Sequence, residues 1–344
     1  MVDQPIEPTV ELDTARLARW MDANGVPGNG TLPTARRLTG GSQNELLLID
    51  RGGEAMVLRR PIPGAPAERI DGIRREHRLV RALRDTDVPH ARLIAGCDDE
   101  DVIGTPFYVM EVVDGWSPAE EQKWPPPFDT DLGARAGLAL ELVDGAARLA
   151  RVDWRAQDLE GFGRPENFHD RQVDRWLSFL GGYRFRELPG LDEAAAWLRA
   201  NRPKVYEPGI MHGDYQFANV MYGHGAPARL AAIIDWEMTT IGDPLLDLGW
   251  VLISWSPEGD DMTRYIDMEG MPTREVMLER YEAVSGRPTD DIDYYVILAK
   301  WKLAVVLEQG FQRAGDDEKL LAFGPVVLKL FENAAALAES TDYR

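Results

Sequence analysis

The sequence predicts an α+β protein with two lobes, an antiparallel sheet in the N-terminal lobe and mainly helices in the C-terminal lobe. Short apolar runs separated by glycine-rich turns fill residues 36–60, which is typical of paired strands. Later in the chain, apolar residues recur at helical spacing in one segment after another. Apolar residues make up 44% of the 344 positions, enough for a packed core. The predicted domains are 1–113 and 114–344.

Apolar spacing and turn residues predict the elements of the N-terminal lobe. Leu17, Trp20 and Met21 lie at helical spacing, and Gly52 and Gly53 mark a hairpin turn between two strands. In order, the predicted elements are a helix over 13–24, a strand–turn–strand over 36–50, a strand over 55–60, a helix over 68–83, and strands over 92–97 and 106–113.

The C-terminal lobe is predicted to be mainly helical. Thr273 is a suitable N-cap for one of its helices, and Gly286 followed by Pro288 is a suitable end for the same helix. The predicted helices cover residues 131–152, 170–181, 191–201, 244–254, 273–285, 291–312 and 318–338.

The composition favours a soluble protein of a reducing compartment. Cys97 is the single cysteine, so no disulfide can form within the chain. The first residues lack the basic and then apolar pattern of a signal peptide. No run approaches the ~20 consecutive apolar residues of a membrane helix. We therefore expect a cytoplasmic protein without a membrane partner.

The net charge of −20 disfavours binding to nucleic acids, because a polyanion requires a basic footprint. Residues 1–113 carry 14 basic and 18 acidic side chains, and the remaining residues carry 24 basic and 40 acidic ones. The acidic C-terminal lobe can attract a cationic small molecule. It can equally be a solvated surface that keeps the protein soluble.

The stretch 210–250 contains the side chains most suited to chemistry. Asp214 lies in a loop after a short apolar run, Asn219 follows five residues later, and Asp235 ends the apolar run Leu230–Ile234. A strand, loop and hairpin here would bring Asn219 and Asp235 to the same end. Their oxygens can hold Mg²⁺, and Asp214 can accept the proton of an attacking hydroxyl. Asp and Asn also favour turns and caps, but a purely structural role of that kind does not explain the joint spacing.

Several linked motifs in this stretch resemble the aminoglycoside phosphotransferase and choline kinase-like superfamily, whose members are related to the protein kinases. The motifs are His212-Gly213-Asp214, Asn219, Ile234-Asp235-Trp236-Glu237, Gly242-Asp243-Pro244 and Asp247-Leu248. The resemblance implies a two-lobed protein-kinase-like fold that transfers the γ-phosphate of ATP. It implies that Asp214 orients and deprotonates the acceptor, that His212 orients the loop, and that Asn219 and Asp235 hold Mg²⁺.

The resemblance also implies nucleotide-binding residues in the N-terminal lobe. A turn beginning at Gly40 would cover the phosphates, although an ordinary hairpin turn has the same local pattern. The end of the last predicted strand would present its backbone to the adenine edge. The predicted phosphate residues are Gly40, Gly41, Ser42 and Gln43, and the predicted adenine residues are Met110, Glu111 and Val112.

The strand lysine that kinases use to hold phosphates is missing, because the first lysine of the chain is Lys123. Arg59 takes that place by spacing, and Glu76 on the following helix is its predicted partner. Arginine binds phosphate bidentately but is bulkier than lysine. The run Leu58–Pro61, Leu-Arg-Arg-Pro, is similar to the kinase-like domain linked to some acyl-CoA dehydrogenases.

These observations together predict an ATP- and Mg²⁺-dependent phosphotransferase acting on a hydroxyl of a small molecule, as aminoglycoside phosphotransferases do. Eleven residues separate Asp235 from Asp247, too few for the long activation segment of a protein kinase. The acceptor could instead be a hydroxyacyl-CoA or related metabolite. The same residues are also compatible with a non-catalytic nucleotide-binding module that regulates a partner, and with a metal-dependent hydrolase.

Overall fold

The computed structural model of the chain describes residues 12–38, 44–118, 124–255 and 266–343. The chain divides into two compact units. The first unit comprises Met1–Asp114, Gln157–Leu159 and Ala231–Glu237, and the second comprises Gly115–Ala156, Glu160–Leu230 and Met238–Arg344. The predicted phosphate residues Gly40–Gln43 lie outside the described residues.

The first unit contains a five-stranded antiparallel sheet of order β1-β2-β3-β5-β4. The bounds of its elements agree with the sequence prediction to within a few residues. These elements are helix α1 (Thr14–Ala23), strands β1 (Thr34–Leu38), β2 (Asn44–Arg51) and β3 (Glu54–Pro61), helix α2 (Ala67–Leu83), and strands β4 (Leu93–Cys97) and β5 (Phe107–Glu111).

The two faces of this sheet have different partners. On one face, the apolar side chains of the strands form a core with Leu17 and Met21 of α1. Leu58 belongs to that core, whereas the next residue, Arg59, contacts Glu76 of α2. Strand alternation therefore directs the Arg59 side chain to the opposite face, as predicted.

The second unit is mainly helical, which confirms the predicted class. Its long helix α8 packs against α4, α5, α6 and α10. The helices are α3 (Leu132–Arg151), α4 (Phe168–Gly181), α5 (Leu191–Ala200), α6 (Leu245–Leu252), α7 (Arg274–Ser285), α8 (Ile292–Gln312), α9 (Glu318–Leu321) and α10 (Phe323–Ser340). Thr273 caps α7, and Gly286 ends it with a φ of +72°, as predicted.

The predicted helix over 318–338 is helical in the structure but is interrupted at Ala322, which separates α9 from α10. Pro325 explains the break. A proline has no backbone N–H to donate to the carbonyl four residues earlier, and its ring clashes with that carbonyl, here that of Leu321. Proline is tolerated in the first turn of the helix that follows.

The segment Glu318–Ser340 is long and apolar enough, by length and composition alone, to span a membrane, which the sequence prediction did not anticipate. Core helices of soluble proteins pass the same test. Here one face of α10, including Val327, Leu330, Phe331 and Ala334, is fully buried, and the helix packs against α8 and α5.

The predicted catalytic stretch contains four short strands. Strand β6 (Gly209–Met211) pairs antiparallel with β9 (Thr240–Gly242) within the second unit. Strands β7 (Val220–Tyr222) and β8 (Leu230–Ile233) form the predicted hairpin, whose turn is closed by a 2.9 Å hydrogen bond from the Gly223 N–H to the Arg229 carbonyl. Short 3₁₀ turns occupy Phe217–Asn219, Trp236–Met238 and Ile253–Trp255.

Candidate active site

The loop that contains Asp214 begins where β6 ends, and the buried carboxylate of Asp247 fixes its first residues. Asp247 lies in the first turn of α6. Its two oxygens accept the backbone N–H groups of His212 at 2.6 Å and of Gly213 at 2.9 Å. Gly213 has a φ of +88°, a conformation that favours glycine. The two hydrogen bonds therefore hold the loop in a sharp turn immediately before Asp214.

The charge of Asp247 is balanced by its surroundings. Burial raises its pKa to about 7, while the hydrogen bonds from Gly213 and His212 and the charge of Lys302 oppose that shift. Lys302, on α8, is also buried, and burial lowers its pKa to about 8. The Lys302 amino group lies 5.1 Å and 5.8 Å from the ring centres of Trp176 and Trp250, so two aromatic faces stabilise the cation.

Hydrogen bonds within the loop orient the Asp214 carboxylate. One of its oxygens accepts from Gln216 Nε2 at 2.8 Å, and the other accepts from Asn219 Nδ2 at 2.8 Å. Asn219 Nδ2 also donates to the Asp214 carbonyl at 2.7 Å. The Asp214 N–H donates to His212 Nδ1 at 3.3 Å, so the His212 ring supports the Asp214 backbone.

The inner side of the loop packs on α3. The Tyr215 hydroxyl donates to the Leu142 carbonyl at 2.7 Å, and the buried Tyr222 hydroxyl makes the same kind of bond to Leu138. Gly145 of α3 allows this approach, because a Cβ there would lie 2.4 Å from the Tyr215 hydroxyl oxygen. The Asp214 loop is thus anchored to α3.

The first unit brings together three other predicted site residues, Arg59, Glu76 and Asp235. Arg59 Nε lies 2.7 Å from a carboxylate oxygen of Glu76, and Arg59 Nη2 lies 3.3 Å from an oxygen of Asp235. The Arg59 side chain is 12% exposed. Arg59 on β3 therefore contacts two carboxylates, one from α2 and one from the segment that follows β8.

Asp235 has a φ of +63°, which is uncommon for a residue other than glycine. Backbone strain of this kind tends to occur at functional sites, where the surrounding structure maintains it. The strand before it is held in the first unit by a 2.9 Å hydrogen bond from the Ile233 N–H to the Pro89 carbonyl. Burial and the carboxylates of Asp235 and Glu76 raise the pKa of the neighbouring Glu237.

The predicted adenine-binding residues lie at the end of β5. Met110 and Glu111 are still within the strand, and the Glu111 N–H donates to the Arg92 carbonyl at 2.9 Å. That N–H is therefore engaged in the sheet. Val112 follows the strand, so it is the predicted adenine-binding residue that lies beyond the hydrogen-bonded pairs of β5. It is 45% exposed.

The sequence matches a known family over most of the site described above. The profile of the phosphotransferase enzyme family covers residues 34–279, more than half of the chain. The chain belongs to this family. The match includes the residues from Arg59 to Asp247, so the predicted family resemblance is confirmed.

Curated relatives of this phosphotransferase-family chain are acyl-CoA dehydrogenase family members. The human member 11 is 26% identical over 348 residues, which cover 95% of this chain and 43% of that protein. The mouse member 10 is 27% identical over 305 residues, which cover 87% of this chain and 28% of that protein. The chain thus spans less than half the length of these relatives.

Solved structures confirm the protein-kinase-like fold of the family. A Ralstonia eutropha protein provisionally named an aminoglycoside phosphotransferase is 29% identical, with a TM-score of 0.83 over 96% of this chain and 99% of that chain. Macrolide 2′-phosphotransferase MphH from Brachybacterium faecium is 20% identical, with a TM-score of 0.56 over 96% and 99%. The second likeness supports the fold alone.

Four residues that contact predicted site residues or Asp247 were not identified from the sequence. Gln216 lies two positions after Asp214, and its polar side chain within a motif loop was the available signal. Asn44, Tyr108 and Lys302 had no comparable signal. Their roles depend on strand register and helix packing between segments that are distant in the sequence.

The donor chemistry of the chain fits Mg²⁺. Both protons of Asn219 Nδ2 are used by Asp214, so the amide oxygen is the atom left to face a cation. The Asp235 side chain is 43% exposed and presents carboxylate oxygens. The described residues contain no group of three or more His, Cys, Asp or Glu side chains that could hold a metal. Mg²⁺ bound together with phosphates usually takes one or two protein oxygens.

Proposed function

We propose that this chain transfers the γ-phosphate of ATP, with Mg²⁺, to a hydroxyl group of a small molecule. The observation that carries the proposal is the arrangement of the Asp214 loop. The Asp247 carboxylate accepts two backbone N–H groups at the start of the loop, and Gln216 and Asn219 orient the Asp214 carboxylate. A base held this rigidly is suited to positioning one hydroxyl group for in-line attack.

Asp214 is the proposed base. One of its carboxylate oxygens accepts the proton of the acceptor hydroxyl as the hydroxyl oxygen forms a bond to the γ-phosphorus. The bond from that phosphorus to the β,γ-bridging oxygen breaks, and the products are a phosphate ester and ADP. Asp214 then releases the proton to solvent. His212 orients the loop, since its Nδ1 accepts the Asp214 N–H.

Asn219 and Asp235 are the proposed ligands of Mg²⁺, through the amide oxygen and a carboxylate oxygen. When bound, the ion would neutralise phosphate charge. Arg59 is proposed to grip the nucleotide phosphates from β3, with Glu76 as its partner. Gly40, Gly41, Ser42 and Gln43 are proposed to cover the phosphates, and the backbone of Met110, Glu111 and Val112 to contact the adenine.

Two acceptor classes remain candidates, and different observations favour them. Similarity over most of this chain to acyl-CoA dehydrogenase family members favours a hydroxyacyl-CoA or a related metabolite. A structure of aminoglycoside phosphotransferase APH(4)-Ia contains AMP-PNP and hygromycin B. That structure is 15% identical with a TM-score of 0.55, so it favours an aminoglycoside through likeness of fold alone.

The test is transfer of labelled γ-phosphate from ATP to a panel of acceptors that contains aminoglycosides, choline-like amines, sugars and hydroxyacyl-CoA esters. Each acceptor is assayed with Mg²⁺ and with chelator, and with Asp214→Asn in parallel. The proposal expects one class to be phosphorylated only with Mg²⁺ and only by the wild-type chain. Release of free phosphate at the same rate without any acceptor would indicate a metal-dependent hydrolase instead.

Binding of ATP without transfer or hydrolysis, across the whole panel, would favour a nucleotide-binding module that regulates a partner. The arrangement around Asp214 argues against such a module. A protein that only binds nucleotide has no need for a base held by Gln216 and Asn219.

A further inference from the structure

The carboxylate of Glu76 contacts side chains from three strands of the first unit. One of its oxygens lies 2.7 Å from Arg59 Nε and accepts the Tyr108 hydroxyl at 3.1 Å. The other oxygen accepts Arg59 Nη2 and Asn44 Nδ2, each at 3.3 Å. Each oxygen therefore has one contact from the cation and one from a neutral donor.

The neutral donors matter because the arginine alone does not fix this carboxylate. Glu76 is 2% exposed, and a buried carboxylate requires several donors. Arg59 Nε is close to Glu76, yet its N–H makes no well-directed hydrogen bond. The one directed hydrogen bond from Arg59 to this carboxylate comes from Nη2 at 3.3 Å, longer than the usual range of about 2.7–3.2 Å, so it constrains the orientation of the carboxylate only in part. A directed donor such as a hydroxyl group can set that orientation.

Tyr108 is placed to supply this donor. Strand register puts Tyr108 directly opposite Arg59 on the neighbouring strand β5, and opposite residues share one face of a sheet. Tyr108 is 2% exposed. Burial and the nearby Glu76 raise its pKa well above the usual value, so the hydroxyl keeps its proton and remains a donor.

We propose that Tyr108 is a positioning residue for nucleotide binding, which acts by holding Glu76 so that Glu76 holds the Arg59 guanidinium. Asn44 assists from β2 and links the strand that follows Gly40–Gln43 to the same carboxylate. The inference rests on the proposed function, because it takes Arg59 to be the residue that grips the phosphates.

The test compares Tyr108→Phe with Tyr183→Phe. Both variants keep the ring and remove one buried hydroxyl, and Tyr183 donates to the Val305 carbonyl at 2.7 Å in the second unit. We expect Tyr108→Phe to weaken ATP binding and raise the KM for ATP about tenfold, the usual range for a hydrogen bond to a charged group. The KM for the acceptor stays constant, and the Tyr183→Phe variant keeps the wild-type KM for ATP.

Equal KM values for ATP in the two variants would overturn the inference, even if both variants lose thermal stability. A nucleotide-free measurement separates this failure from failure of the proposed function. The Nε–H resonance of Arg59, assigned with Arg59→Lys, is recorded in both variants by NMR. A change in Tyr108→Phe alone supports the positioning role, whether or not the wild-type chain binds ATP. An unchanged resonance contradicts the role.

Discussion

Two effects on the charge of the Asp247 carboxylate oppose each other. Its ionised form accepts the N–H groups of His212 and Gly213 most strongly, yet burial disfavours that form and raises its pKa to about 7. The sequence showed Asp247 as part of the Asp-Leu motif, and the structure shows its two hydrogen bonds to the Asp214 loop. The sequence contained no indication of Lys302, because Lys302 lies more than fifty residues beyond Asp247 in the chain.

A pH dependence follows from the shifted pKa of Asp247. The unfolded chain has the ordinary value of 3.8, and the folded chain binds the proton up to about pH 7. The contribution of this group to the free energy of unfolding is therefore greatest below pH 3.8 and falls as the pH rises towards about 7. Lys302, with a pKa of about 8, stays charged through most of this window.

Asp247→Asn tests this dependence by urea unfolding at several pH values between 4 and 8. The amide leaves one loop N–H without an acceptor, which lowers stability by about 1–3 kcal/mol at every pH. On top of that constant loss, we expect the wild-type chain to lose stability relative to the variant as the pH rises from 4 to 7. A difference between the two proteins that does not vary with pH would contradict the assigned shift.

Two of the short strands next to the Asp214 loop could not be paired from sequence patterns. Strands β6 and β9 have three residues each, too few for an apolar alternation, and their pairing joins segments about thirty residues apart. The motif predicted the loop, but the pairing that supports it comes from tertiary packing. By contrast, the break before α10 had a local signal in Pro325.

Gly213→Ala should disturb the Asp214 loop more than a glycine substitution in another turn of the chain. The φ of +88° costs an alanine about 1–2 kcal/mol. An added Cβ would also lie 2.6 Å from the Met238 carbonyl oxygen, so the 3₁₀ turn that ends at Met238 must move. We expect a further loss of about 1–3 kcal/mol of stability and a loss of about 100-fold in transfer.

Gly225→Ala is the matched control for this prediction. Gly225 has a φ of +76°, and an added Cβ would meet nothing within 4 Å. Thermal unfolding and transfer assays on both variants separate backbone strain from steric displacement of the loop. Equal losses of stability and activity in the two variants would show that the Met238 contact has no role.

The fold class of the whole chain was predictable because each lobe has a recognisable local sequence pattern. Gly-Gly turns and short apolar runs predicted the sheet, and long apolar periodicities predicted the helices. Segment 231–237, in contrast, groups with the first unit, although it lies more than a hundred residues beyond the predicted boundary. The hydrogen bond from Ile233 to Pro89 that places it there joins residues with no shared pattern.

The net charge of −20 predicts how the acceptor class responds to salt. A cationic acceptor is attracted by an acidic protein, and salt screens this attraction, with a Debye length of about 10 Å at 0.1 M and about 3 Å at 1 M. Its KM should therefore rise with added salt. The KM for an anionic CoA ester should fall or stay constant, because salt screens repulsion. Transfer assays across a salt series measure this, and a cationic acceptor with a salt-independent KM would contradict it.

The role of Asp214 is the central claim, and ³¹P-detected phosphate transfer by the wild-type chain and by Asp214→Asn tests it most directly. ATP binding is measured for both proteins in the same buffer. We predict that the substitution lowers transfer about 10²–10⁴-fold, the range for loss of a general base, while ATP binding changes little. Transfer that survives in Asp214→Asn at the wild-type rate would contradict the assignment of Asp214 as the base.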